Sequence, residues 1–349
     1  MVDTEFMRTN TFYPQVALLQ LCFEGGDDAT AWLVDPLQLE DLGSLLDLFE
    51  DEGVLKVLHS PSEDLEVFRH WLGLVPAPLF DTQRAAALLD RGFGLGYRTL
   101  VHDICGVDLP KGETRSNWLA RPLSQSQCDY AAQDVTWLYA VWKELQGACA
   151  AAGKLDWLLA DANDAVSAQE FDPALAYKRV KGAGKLDQQQ LGVLRALCAW
   201  REVTARGRDK PRNWIVDDKT CLLLAQEQPE STSRLKSSVD LPPPVLRRHA
   251  QEIVEAILAG QELPAGDLPP PLPRPLDARQ RDTLKALKAQ SKDVARGLGT
   301  APEILLQAKD YELLVREAAG EYIAAPGHWL GWRAALVVSP LRDWLAEQR

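Results

Sequence analysis

The sequence predicts an α/β domain with a mixed β-sheet, followed by an all-α region. Apolar, β-branched runs alternate with helical stretches in the first part of the chain, which is typical of layered α/β domains. After about residue 155 the strand signals fade, and Pro-rich breaks separate the remaining helices. The chain has 349 residues, 46% of them hydrophobic, and this length allows two or three domains.

The expected elements follow from these patterns in chain order. Strands are predicted at 16–23, 29–34 and 54–58, and helices near 42–49, 63–72 and 128–149. The short turn 24–28 predicts an antiparallel hairpin, whereas a helical crossover has to precede any parallel strand. The sheet is therefore expected to be mixed.

Three acidic motifs are candidates for a functional site. In an extended strand Asp3 and Glu5 share one face, although such a pair is also common on solvated surfaces. Asp64 follows a predicted strand at the start of a helix, where stabilisation of the helix dipole is the alternative explanation. Tyr130 and Asp134, four residues apart, lie on one helical face, although such a Tyr is also often a half-buried core residue.

Taken in order, these motifs resemble the three exonuclease motifs of the DEDD superfamily, in the subclass whose third motif begins with Tyr. The resemblance is closest to the ribonuclease D family and covers essentially the whole chain. Further matching segments are residues 8–15, 80–83, 111–113 and 118–123. The resemblance implies a ribonuclease H-like 3′–5′ exonuclease domain, expected at residues 1–165.

The resemblance also assigns roles to the acidic residues. It implies that Asp3, Glu5 and Asp134 hold a metal ion that activates water, that Asp3 bridges to a second ion, and that Asp64 contributes directly or through water. Oxygen ligands select Mg²⁺ or Mn²⁺, and two such ions suit phosphodiester hydrolysis. Tyr130 is expected to orient the attacking water rather than to act as a base, because the pKa of a Tyr is ordinarily near 10.

Substrate contacts are predicted at two places. The family similarity suggests that Thr4 contacts the terminal nucleotide and that His59 faces the cleft. A cationic and aromatic stretch is a second candidate, for phosphate binding and base stacking. Its members are Lys111, Arg115, Trp118 and Arg121. The alternative is a salt-bridged loop whose Trp is anchored in the core.

The helical region contains two further modules. Residues 191–216 resemble the helicase-and-RNase-D C-terminal (HRDC) domain, expected at 185–265. The Pro-dense segment 267–275 reads as a linker. A second HRDC-like domain is expected at 275–349, and a purely structural role for it stays open.

The net charge of −12 argues against a nucleic-acid partner, because phosphate contacts normally come from a basic surface. The distribution of charge along the chain matters more than the net charge, and the basic residues cluster in three stretches that predict cationic stripes on the surface. These stretches are 178–185, 201–212 and 279–296.

The expected function is trimming of single-stranded RNA 3′ ends, with precursor-tRNA 3′ maturation suggested by the family. A DNA-directed 3′–5′ exonuclease uses the same carboxylates, and a noncatalytic RNA-binding relative is the other alternative. Six scattered cysteines without a C-x-x-C pair indicate a reducing compartment, and no membrane-spanning run is apparent. We therefore expect a cytoplasmic monomer that does not associate with membranes.

Overall fold

The chain forms two compact units. The computed structural model describes residues 1–23, 29–110, 112–113, 115–167 and 171–348, so the predicted turn 24–28 lies outside the described residues. The first unit comprises Met1–Met7, Pro14–Ala168 and Leu276–Arg349. The second unit comprises Arg8–Tyr13 and Gln169–Pro275. Each unit has its own hydrophobic core.

The strands all belong to the first unit. They are β1 (Val2–Met7), β2 (Gln15–Leu21), β3 (Trp32–Val34), β4 (Lys56–Leu58) and β5 (Leu79–Asp81). The order β1-β2-β3 is antiparallel, β4 and β5 pair in parallel, and β1 lies beside β4. The predicted mixed sheet is confirmed. The sequence patterns missed β5, which has only three residues.

Helices make up the rest of the regular structure. The first part of the chain contributes α1 (Gly43–Glu50), α2 (Ser62–Trp71), α3 (Thr82–Leu88), α4 (Tyr97–Cys105), α5 (Gln125–Ala151) and α6 (Leu155–Val166). The second unit contains α7 (Gln188–Gly207), α8 (Arg212–Ile215), α9 (Asp218–Glu227), α10 (Thr232–Ser238) and α11 (Pro243–Gln261). The chain then returns to the first unit with α12 (Ala278–Leu298), α13 (Ala308–Ala318) and α14 (Ser339–Glu347). The helical character predicted beyond residue 155 is confirmed.

Helix α5 is the long central helix of the first unit. A capping box fixes its start: the Gln127 amide donates to the Ser124 hydroxyl, and the Ser124 amide donates to the Gln127 side chain. Its buried apolar residues recur at helical spacing and face the core. They are Ala131, Val135, Leu138, Val141 and Leu145. The adjoining face is left for polar residues.

The residues after 275 pack as part of the first unit. Leu287, Leu314 and Leu341 share a hydrophobic core with Leu138 and Leu145 of α5. The sequence analysis expected a separate HRDC-like domain at 275–349, whereas the structure groups these residues with the first unit, and their buried apolar side chains belong to the same core as those of α5. This packing favours the structural role that had been left open.

A buried ionic junction ties the late helices to the early ones. The Arg333 guanidinium donates to both oxygens of the Asp161 carboxylate, at 2.5 and 2.8 Å. Arg84 of α3 and the Trp332 indole donate to the same carboxylate, at 2.6 and 3.1 Å. The pKa of Asp161 is lowered despite its burial, because Arg333 and Arg84 stabilise the charged form.

The second unit is built around α7 and α11. These helices approach so closely at Gly260 that a Cβ there would lie 2.5 Å from the Val193 Cα. The segment Arg8–Tyr13 belongs to this unit, since the Asp209 carboxylate accepts from the Phe12 and Tyr13 amides at 2.9 and 3.0 Å. Its Phe12 ring is buried in the core of the second unit.

Candidate active site

Three carboxylates converge in the first unit. Asp3 and Glu5 extend from the same face of β1, as the strand alternation predicts, and Asp134 comes from α5. Their carboxylate oxygens lie within 4.8 Å of one another. Oxygen donors at this separation can hold a hard divalent cation.

Asp64 lies beside this trio, at the start of α2. It is not one of the three residues of the close cluster, but its charge raises the pKa of Asp3. Its carboxylate accepts a hydrogen bond from the Thr4 hydroxyl, and both side chains are buried. The Thr4 hydroxyl, predicted to contact a nucleotide, thus donates its proton to Asp64, and the nucleotide contact stays a prediction.

The electrostatics of the site favour a cation. Burial raises the pKa of Glu5 to about 8, that of Asp134 to about 7 and that of Asp64 to about 6. The pKa of Asp3 is raised well above its usual range, by burial first and then by the charges of Asp64, Asp134 and Glu5. A bound divalent cation would offset both the desolvation and the repulsion. The residues present therefore fit a metal site.

These shifts predict how the stability of the metal-free protein depends on pH. Each carboxylate holds its proton to a higher pH in the folded state than in the unfolded chain. The folded state therefore binds more protons, and the free energy of unfolding falls as pH rises from about 4 to about 8. In chelator, Tm is expected to decrease over this range, and to decrease less in Glu5→Gln. Identical pH profiles for the two proteins would contradict this assignment.

Tyr130 lies next to the carboxylates. Asp134 lies one helical turn along α5, where the Tyr130 hydroxyl partly offsets the effect of burial on the pKa of its carboxyl, and the Tyr130 ring centroid lies 6.0 Å from that of Trp118. Burial and the charge of Asp134 raise the pKa of the phenol above its ordinary value. The geometry fits a neutral hydroxyl that orients another group.

His59 is held between two protein partners. Its Nδ1 lies 3.0 Å from the Thr82 hydroxyl, and its Nε2 lies 3.1 Å from the Leu95 carbonyl oxygen. Because a carbonyl only accepts, Nε2 carries the proton of the neutral ring. Burial lowers the pKa of His59 to about 4. The ring, predicted to face a cleft, thus has both nitrogens engaged within the protein.

Tyr97 is a neighbour of the site that the sequence analysis missed. Its hydroxyl donates to the Gln133 carbonyl oxygen at 2.9 Å, beside Asp134 on α5. Burial raises the pKa of Tyr97 first, and the charges of Asp134 and Asp3 raise it further. No local pattern marks this residue, because its partner lies 36 positions away in the chain.

The predicted phosphate-binding stretch divides into different environments. Lys111 lies outside the described residues, and Arg115 is exposed. Trp118 is only 2% exposed and packs in the core, which matches the anchored-Trp alternative rather than a stacking surface. Arg121 pairs with Asp35 at 2.7 Å and donates to backbone carbonyls, so it holds the loop in place.

Within the described parts of the chain, none of the helices combines the length and apolar character that a bilayer-spanning segment needs.

Comparison with known families matches both parts of the chain. A family model described as 3′–5′ exonuclease matches residues 1–149, which contain all four acidic site residues and Tyr130. A model described as HRDC domain matches residues 190–257, within the second unit.

Relatives of known identity are similar along nearly the whole chain. Ribonuclease D of Pseudomonas paraeruginosa is 43% identical over 336 residues, which cover 95% of this chain and 88% of the relative. Ribonuclease D of Escherichia coli is 34% identical, over 99% of this chain and 92% of the relative. The crystal structure of E. coli RNase D, described as an exoribonuclease involved in structured RNA processing, superposes with a TM-score of 0.89 at 33% identity. It covers 99% of this chain and 92% of the other.

Proposed function

The chain belongs to the ribonuclease D family, and from this premise we propose that it trims precursor-tRNA 3′ ends by two-metal hydrolysis. It is a 3′–5′ exoribonuclease, a hydrolase of phosphodiester bonds that acts on RNA. Nucleoside 5′-monophosphates are the proposed products. The single observation that carries the proposed mechanism is the convergence of Asp3, Glu5 and Asp134.

The family uses divalent metal, and we assign Mg²⁺ or Mn²⁺ on the chemistry of the donors. Asp3, Glu5 and Asp134 would hold the first ion, and Asp3 and Asp64 the second. When bound, the two ions would supply hydroxide near neutral pH and neutralise negative charge on the entering and leaving oxygens. All donors are carboxylate oxygens, which suits these hard cations better than zinc.

Tyr130 then acts as a positioning hydroxyl. One helical turn separates Tyr130 from Asp134, so the phenol lies beside the carboxylates, and its raised pKa keeps it protonated at neutral pH. We expect Tyr130→Phe to lower kcat about tenfold to a hundredfold while KM stays nearly constant, since the ring is retained and only the orienting group is lost. Single-turnover rates with saturating RNA measure this effect, and an unchanged kcat would remove Tyr130 from the mechanism.

Two alternatives are separated by substrate and by metal. A DNA-directed exonuclease uses the same carboxylates, so the ratio of rates on RNA and DNA oligomers of equal sequence decides between them.

A noncatalytic binder would have no assembled metal site. Saturating Mn²⁺ is expected to raise the Tm of the wild type by several degrees and to leave Asp3→Asn nearly unchanged. Equal shifts in both proteins would mean that the ion binds elsewhere.

The proposed setting is a monomer in the cytoplasm. All six cysteines are free, and Cys22, Cys149, Cys198 and Cys221 are buried. Free thiols are typical of proteins that work in a reducing compartment.

A further inference from the structure

One face of α12 carries a continuous row of positive charge. Its members are Arg281, Lys285, Lys288, Lys292 and Arg296, and all are exposed. Their spacings of four, three, four and four residues confine them to roughly a quarter of the helix circumference, and the row is about 22 Å long. We call this row the cationic face.

The charges of the cationic face have few partners. Arg281 donates to the Leu276 carbonyl oxygen, and Arg296 pairs with Asp293 at 2.9 Å. Within the residues that the structure describes, Lys285, Lys288 and Lys292 have no ion pair or hydrogen bond from their ammonium groups. Like charges three and four residues apart destabilise a helix, so this arrangement is unfavourable for α12 by itself.

Folding of α12 does not require the cationic face. The helix packs through a different face, on which Leu287, Ser291 and Ala295 are buried. A solvated helix normally mixes both signs of charge, whereas Asp282 and Asp293 are the only acidic residues in the sequence of α12 and lie beside the row. The packing of α12 therefore does not account for the cationic face.

The cationic face also stands out against the rest of the first unit. By sequence this unit holds 21 Lys and Arg against 36 Asp and Glu, and six of the 21 lie on α12. An acidic surface repels a polyanion. A unit that contains the carboxylate site and acts on RNA therefore needs a local cationic surface to hold its substrate.

We propose that the cationic face of α12 binds the phosphate backbone of the RNA substrate, away from the reacting 3′ end. The inference rests on the proposed function. Lysines dominate the row, and their ammonium groups contact phosphates as point charges without reading sequence. The row includes no aromatic or large apolar residue of the kind that anchors an amphipathic helix in a membrane surface. RNA is therefore the partner that this chemistry fits.

The test measures binding without hydrolysis. The Kd of a fluorescent single-stranded RNA much longer than the row is measured in chelator, over a series of salt concentrations, for wild type and Lys288→Gln/Lys292→Gln. The variant is expected to bind about fivefold to tenfold more weakly at low salt. The slope of log K against log salt should fall by roughly 1.4, because each phosphate contact on a single strand contributes about 0.7.

The matched control removes the same charge elsewhere in the first unit. Lys143 and Lys309 are exposed lysines on α5 and α13, so Lys143→Gln/Lys309→Gln keeps the net charge equal to that of the test variant. Equal weakening by both pairs, or no change in slope, would overturn the proposal. The proposal would also be overturned if Lys288→Gln/Lys292→Gln lost binding to anionic vesicles but bound RNA as tightly as the wild type.

Hydrolysis of a very short oligomer separates this inference from the proposed function. Such an oligomer is too short to reach along the cationic face. The Lys288→Gln/Lys292→Gln variant should therefore cleave it at the wild-type rate. A wild type that binds long RNA through the cationic face but never shortens it would contradict the proposed function and leave the inference standing.

Discussion

Asp134→Asn should abolish shortening of a 5′-labelled, single-stranded RNA, with a rate loss of roughly three orders of magnitude or more. The amide removes one of three carboxylates whose oxygens lie within 4.8 Å, and with it much of the charge that attracts a divalent cation. The asparagine keeps the shape of the side chain, so α5 and its packing are expected to persist. The measurement is a time course in Mn²⁺, in Mg²⁺ and in chelator, resolved by fragment length.

The control for this variant is on the same helix. Asp129→Asn removes an equal charge from an exposed position of α5, five residues before Asp134, and should leave the ladder of products unchanged. A metal-free Asp134→Asn protein should also be at least as stable as the wild type near neutral pH, because a repelled, buried carboxylate has been neutralised. Undiminished shortening by Asp134→Asn would exclude Asp134 from the site.

Asp161→Ala should lower the free energy of unfolding by about 3–5 kcal/mol, because it leaves the buried Arg333 guanidinium without its carboxylate. Arg84 and the Trp332 indole lose the same acceptor. The junction links the helix after β5 to the segment before α14, so its loss should loosen both. Urea denaturation followed by circular dichroism measures the change.

An exposed ion pair gives the comparison for this variant. Glu144 on α5 pairs with Arg91 at 2.6 Å, with both side chains open to solvent. Glu144→Ala should cost no more than about 1 kcal/mol, since solvent screens such pairs. If Asp161→Ala were as mild as Glu144→Ala, the buried junction would not be a major contributor to stability.

Local periodicity placed two pairs of candidate site residues on common faces, but it did not distinguish them from ordinary surface or core residues. Strand alternation placed Asp3 and Glu5 on one face, and the four-residue helical spacing placed Tyr130 above Asp134. Both patterns join residues that are close in sequence, so the direction of each side chain follows from the strand repeat or the helix repeat. The convergence of the strand and the helix came from the family resemblance, since periodicity gives no information on which elements meet.

The remaining features depend on partners distant in the chain. Tyr97 became visible only through its bond to the Gln133 carbonyl, and Arg333 through a carboxylate 172 positions earlier. The sequence around Trp118 fits a Trp that stacks on a base and a Trp that fills a core equally well, and only its 2% exposure distinguishes the two roles. The apolar faces of α12 and α5 likewise predict burial, but they do not identify the elements that cover them.

The discontinuity of the first unit has a consequence during synthesis on the ribosome. Strand β1, with Asp3 and Glu5, is translated before the bulk of the second unit, whereas α12 to α14, which share a core with α5, are translated after it. Domains generally fold as units during translation, so the nascent chain can complete the second unit before the first. The carboxylates of β1 thus emerge long before the core beneath their partner helix is closed, and a ribosome stalled before α12 would display a chain with an unfinished catalytic unit.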